Sequence, residues 1–134
     1  MQADTSKRTH FVNSDDPTLI LVKGSFHREA ESEEEQRKLA TEHVKRVAST
    51  ITTVVAKHGV ANVRCVGAAS TNNGWKAITI AYDRFKERGV KLELEPSFQT
   101  VNFDGSGDKT AMAMKVTNPN GKMEPVAPAS VEKK

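Results

Sequence analysis

One cysteine, one tryptophan and one tyrosine occur in 134 residues, and aromatic side chains make up only 5% of the chain. The lone thiol, Cys65, excludes an internal disulfide framework and a multi-cysteine metal centre, and it suits a reducing compartment. So few aromatics argue against a base-stacking platform of the kind general single-strand binders present. The four histidines, His10, His27, His43 and His58, lack metal-ligand spacing. No apolar run is long enough to cross a bilayer, and Met1 to Asp16 lacks an apolar signal-peptide core. The expected location is the cytoplasm, with no membrane contact.

Signatures of catalysis are equally sparse. The turn Asp104-Gly105-Ser106-Gly107-Asp108-Lys109 lacks the Gly-Lys-Ser/Thr ending of a phosphate loop and precedes a strand pattern, not a helix. Asp104 and Asp108 form a close carboxylate pair without the ligand set of a calcium loop. Cys65 lies within an apolar strand pattern and reads as a buried, inert thiol. The chain reads as a non-enzyme without cofactor or metal.

What is present is charge, unevenly placed. Residues 1–37 hold five Lys/Arg and eight Asp/Glu, whereas residues 38–134 hold fifteen and nine. A basic body behind an acidic leader attracts polyanions. Residues 1–16 show no periodicity and are expected to form a flexible arm. Residues 17–118 are expected to form one domain. Residues 119–134, with Pro119, Pro125 and Pro128, are expected to form a disordered tail.

Within the domain, Thr18 to Val22 is a short apolar run that predicts a buried strand, with Pro17 at its first position. Ala40, Val44, Val47, Ala48, Ile51, Val54 and Val55 recur at spacings of three and four, one stripe of a helix. Ser32 and Glu35 suit a capping box, Glu33 to Glu35 suit the positive end of the helix dipole, and Gly59 suits the C-terminal cap. Val60 to Val66 predicts a second strand. Ser70, Thr71 and Asn72 are candidate N-caps of a second helix that carries Ala77, Ile78, Ala81, Tyr82 and Phe85 and stops at Gly89. Val90, Leu92 and Leu94 alternate with charge. Val101 and Phe103 carry the apolar face on the opposite parity, which predicts a bulge or bend near Pro96. Met112, Met114 and Val116 form the returning strand. The order is β-α-β-α-β-β, an α+β arrangement.

Val63-Arg64-Cys65-Val66-Gly67-Ala68, then Asn72, Lys76-Ala77-Ile78 and Ile80-Ala81, resemble a strand, loop and helix of the stage V sporulation protein S family, in the Alba superfamily. Gly89-Val90 through Pro96, and Phe98 to Lys115, have a spacing similar to that family's closing hairpin. The resemblance covers residues 60–117 well and residues 18–59 by pattern. Trp75 stands where the family has a small aliphatic residue, and Asn73 and Gly74 also depart from it. The resemblance implies an Alba-like two-layer sandwich, with both helices on one face of a mixed four-stranded sheet, working as a homodimer. It implies DNA or RNA binding through three regions: the first loop (Lys23 to Arg28), the start of the second helix (Asn72 to Lys76) and the hairpin tip (Gly105 to Lys109). The superfamily includes RNA-binding members, among them one from large bacteriophages that build a nucleus-like compartment. The lean toward single-stranded RNA over DNA, and toward a phage-encoded protein in a bacterial cell, rests on that resemblance alone.

The candidate nucleic-acid contacts are Lys23, Arg28, Arg64, Asn72, Asn73, Trp75, Lys76 and Lys109. Lys76 matches the family lysine, and helix-start N–H groups beside Asn72 and Asn73 suit phosphate oxygens. Exposed, Trp75 would stack on an unpaired base for about 1–3 kcal/mol. The bland reading packs it at a dimer interface or against the sheet. Glu29 and Glu31 weaken the field around Lys23 and Arg28. Arg64 reaches solvent on the open sheet face or pairs with a glutamate such as Glu93. Lys115 reads as a solvated edge charge. The rival reading is an assembly module, with the core as a dimerisation scaffold and the terminal arms as protein-binding segments.

Overall fold

The computed structural model describes residues 12–13, 16–26, 28–101 and 107–123. Two helices pack on one face of a mixed sheet. The elements are β1 (Val12–Asn13), β2 (Asp16–Val22), α1 (Glu33–His58), β3 (Val60–Cys65), α2 (Ala68–Lys86), β4 (Glu93–Val101) and β5 (Lys109–Thr117). The sheet order is β1-β2-β3-β5-β4. Strands β2 and β3 are parallel, and the other neighbours are antiparallel. The four expected strands are joined by a fifth, β1, which pairs Val12 with Ile20 from within the leader. Among the described residues, no helix is long and apolar enough to cross a membrane.

Helix α1 forms because its apolar stripe and its ends agree. Ser32 Oγ accepts from Glu35 N at 3.1 Å, the expected half of a capping box. The reciprocal half is displaced by one residue: Glu35 Oε1 accepts from Glu31 N, at 3.0 Å. Gly59 ends the helix at φ 81°, a left-handed conformation that favours glycine, and its N–H donates to Val55 O at 2.7 Å. Val47, Ile51 and Val55 are fully buried on the sheet side. Burying such side chains contributes roughly 1.5–3 kcal/mol each, which outweighs helix propensity as the reason α1 is stable.

Alternation does the same for the sheet. Ile20, Val63, Met114 and Val116 face the helices and are buried with Ala77, Ala81 and Phe85 of α2. The helices lie parallel: the segment Asn72–Ile80 meets Arg37–Lys45, and Arg84 Nη1 reaches Ser49 Oγ at 3.3 Å. Close approach of α2 to β3 requires Gly74, where an added Cβ would lie 2.5 Å from Cys65 Sγ.

The hairpin departs from expectation. There is no bulge at Pro96. The β4–β5 register runs unbroken from Glu93↔Thr117 through Pro96↔Met114 to Val101↔Lys109. Strand β4 is the sheet's edge, where a missing N–H costs no ladder bond. Leu94, Pro96 and Phe98 therefore stay on the helix side, and Phe103 lies outside the described residues. Past β5, Asn118 N donates to Gly59 O at 2.9 Å, and Met123 N donates to Ala56 O at 2.9 Å, which fastens the chain there to the end of α1.

Candidate nucleic-acid interface

The loop after β2 is fastened to both helices. Lys23 N donates to His43 Nε2 at 3.0 Å, and Asn73 Nδ2 donates to Lys23 O at 3.0 Å. Ser70 Oγ donates to Val22 O at 2.8 Å and accepts from Val66 N at 3.2 Å. Gly24 lies so close that an added Cβ would sit 2.7 Å from Ser70 N. Phe26 is buried against His43, with ring centroids 5.4 Å apart and edge-on. Such a loop is a rigid platform, not a floppy arm.

That fastening changes the standing of several candidates. Lys23 pairs with Glu29, and its ammonium lies 4.9 Å from the centre of the Phe26 ring. The hydrogen bond from Lys23 is the largest influence holding the Glu29 carboxyl below the usual range. Lys23 is thus largely engaged within the loop. Arg28 is exposed beside it, and His27 lies outside the described residues. Asn73 is only 5% exposed and holds the Lys23 carbonyl, so it is a structural clamp and not a surface contact.

Helix α2 starts earlier than expected. Its N-cap is Gly67, with no side-chain cap and no acid in the first turn. Ser70, Thr71 and Asn72 are therefore inside the helix. Ser70 is needed there to satisfy Val22 O and Val66 N, and Thr71 Oγ1 donates to Gly67 O at 2.8 Å. The free N–H donors of the helix start belong to the exposed Gly67–Ala68–Ala69 segment, and Asn72 and Lys76 lie one and two turns further in. Small side chains leave those donors open to a phosphate oxygen.

Asn72 and Lys76 meet α1 across a groove of about 390 Å³ that Arg37, Thr41 and Lys45 also line. Its floor is Ala40, Val44 and Ile80, and no carboxylate lines it. Trp75, 45% exposed, lines an adjoining shallow depression with Val44, Lys76, Thr79 and Ile80. It also borders a crevice with Met112 and Met114 on the sheet side. Arg37 and Lys45 were not singled out in the sequence. Their signal was there: both flank the apolar positions Ala40 and Val44 on the side that turns toward α2.

The other two candidates lie apart from this groove. Arg64 points to the open sheet face, where its Nε donates to Gln99 Oε1 at 3.0 Å, and not to Glu93. Lys109 is exposed at the start of β5, while residues 102–106 of the hairpin tip lie outside the described residues. Cys65 is buried; burial pushes its thiol up, with an opposing hydrogen bond involving Ser70. Among the described residues, no group of His, Cys, Asp and Glu is placed to hold a metal ion.

Two parallel helices on one face of a mixed sheet in this strand order form an Alba-like arrangement. The family model for stage V sporulation protein S matches residues 39–119, which take in α1 from Leu39 onward, β3, α2 and the hairpin, and this chain belongs to that family.

Proposed function

We propose that this protein binds nucleic acid without catalysing a reaction, as a homodimer, through phosphate contacts with limited sequence preference. Single-stranded RNA is placed ahead of DNA. The observation that carries the reading is the N-terminal half of α2. It offers exposed backbone donors with no capping side chain and no acid in the first turn, and Lys76, two turns on, is exposed and makes no ion pair among the described residues. A helix start of this kind is a fixed patch of positive potential, and a lysine near it extends the patch along a polyanion. The docked loop brings exposed Arg28 to the same end of the sheet.

The homodimer is supported by a second surface. Neither helix covers β4 beyond Leu94, and Phe98 is 75% exposed on the helix side of the sheet beside half-buried Met112. An apolar strip of this kind suits burial against a second copy.

The experiment is anisotropy of labelled single-stranded RNA, single-stranded DNA and duplex DNA over a salt series. Expected is binding that weakens steeply with salt, tightest for single-stranded RNA. Lys76→Glu should abolish most of that binding with an unchanged thermal midpoint. Failure of all three ligands to bind at low salt would refute the reading and favour the assembly module.

A further inference from the structure

We infer that the groove between α1 and α2 is a seat for one nucleotide unit of a single strand, with Arg37, Lys45 and Lys76 holding its phosphates. This rests on the nucleic-acid reading above and adds a site to it. Three features of the groove carry it.

The first is charge. Arg37, Lys45 and Lys76 come from two helices and converge on one depression that no carboxylate lines. Lys45 and Lys76 make no ion pair among the described residues, and Arg37 has only a loose contact with Glu33, at 4.0 Å between two exposed side chains. Cations gathered at one depression whose lining holds no carboxylate repel one another, and an anion bound there relieves that repulsion.

The second is the floor. Ala40, Val44 and Ile80 make it apolar, which suits the face of a base or sugar better than it suits free phosphate. Trp75 lines the neighbouring depression, which shares Val44, Lys76 and Ile80 with the groove, and so offers an aromatic ring beside it. The third is size. About 390 Å³ falls within the roughly 300–1,000 Å³ of small-ligand sites, enough for one nucleotide and far too narrow for a duplex, whose bases are stacked inside. Asn72 on the rim supplies an amide that can both donate and accept toward a base edge. The groove also abuts Asn73, which fastens the Lys23 loop. A strand leaving it toward the start of α2 would meet the exposed Gly67–Ala69 donors.

The test uses the full chain with short oligouridylate and oligothymidylate, followed by anisotropy and by the fluorescence of Trp75, the only tryptophan. Two paired variants are compared. One is Arg37→Gln with Lys45→Gln. The other is Lys57→Gln with Lys91→Gln, exposed lysines at or beyond the C-terminal ends of α1 and α2. Both remove two charges, so a general loss of field affects them alike. Expected is quenching of Trp75 on saturation. The groove pair should lower the slope of log affinity against log salt by about 1.4, two single-strand contacts at about 0.7 each, while the distal pair leaves it unchanged. Binding seen by anisotropy without any change in Trp75, and with equal slopes for both pairs, overturns the groove and leaves polyanion binding elsewhere standing. Absence of binding by the unaltered protein at low salt overturns both readings together.

Discussion

Gly74 shows how one missing side chain positions the site. It brings α2 against β3, and a Cβ there would lie 2.5 Å from Cys65 Sγ, closer than such atoms pack. Glycine inside a helix costs about 1 kcal/mol relative to alanine, so propensity alone favours Gly74→Ala. Overpacking costs roughly 1–3 kcal/mol and should win. Gly74→Ala is expected to lower the unfolding free energy measured in urea by a net ~1 kcal/mol, and adding Cys65→Ala should recover most of it. Equal destabilisation in the single and double variants would show that the two residues do not compete for space. His43 makes a similar point through polarity. It sits on the apolar stripe of α1 at 2% exposure, yet its ring accepts from Lys23 N and so ties the loop to the helix.

At the scale of elements, each helix has its start set by a different device, with different consequences for binding. Helix α1 has a serine cap, three glutamates in its first turn and Glu31 just before it. Its N–H donors are satisfied or screened, so this end repels phosphate. Helix α2 has neither cap nor acid. Ser32→Ala is expected to destabilise the protein by about 1 kcal/mol in urea unfolding, with nucleic-acid affinity unchanged, because the cap serves α1 alone. A loss of affinity would mean that the start of α1 takes part in binding. Strand β4 carries the same lesson for the sheet. Its proline is tolerated because the strand lies at an edge, and its register continues through Pro96 without a shift.

For the whole molecule, the relevant quantities are uncovered surface and summed charge. The Phe98 strip on the outer half of the sheet is expected to be the homodimer contact. If the proposed dimer forms, Phe98→Asp should leave only monomer in light scattering, because two carboxylates would face an apolar surface with no partner. Its fold should persist, since Phe98 is 75% exposed in the single chain. A dimer that survives the substitution would place the contact elsewhere. The chain carries a formal net charge of +3, but its acidic leader and basic body oppose one another. Local geometry, not the total, would therefore decide where a polyanion sits on the proposed interface.

Much of this fold was legible in the sequence because it rests on short-range rules. Periodicities of two and near 3.6 set the strand and helix order, Ser32 and Gly59 set the ends of α1, and the Val63 to Ala81 segment with the closing hairpin carried the family resemblance. The parity change near Pro96 misled, because pattern alone cannot tell an edge strand, where an outward proline is harmless, from a central one. The start of α2 misled for a related reason. Serine, threonine and asparagine all suit a cap, and only the packed structure shows that Ser70 is committed to Val22 and Val66 and Asn73 to the Lys23 loop. Local chemistry thus determined the elements and their order. Which cations meet was decided by the parallel packing of α1 on α2, which brings Arg37 and Lys45 to Lys76 from more than thirty positions away in the chain.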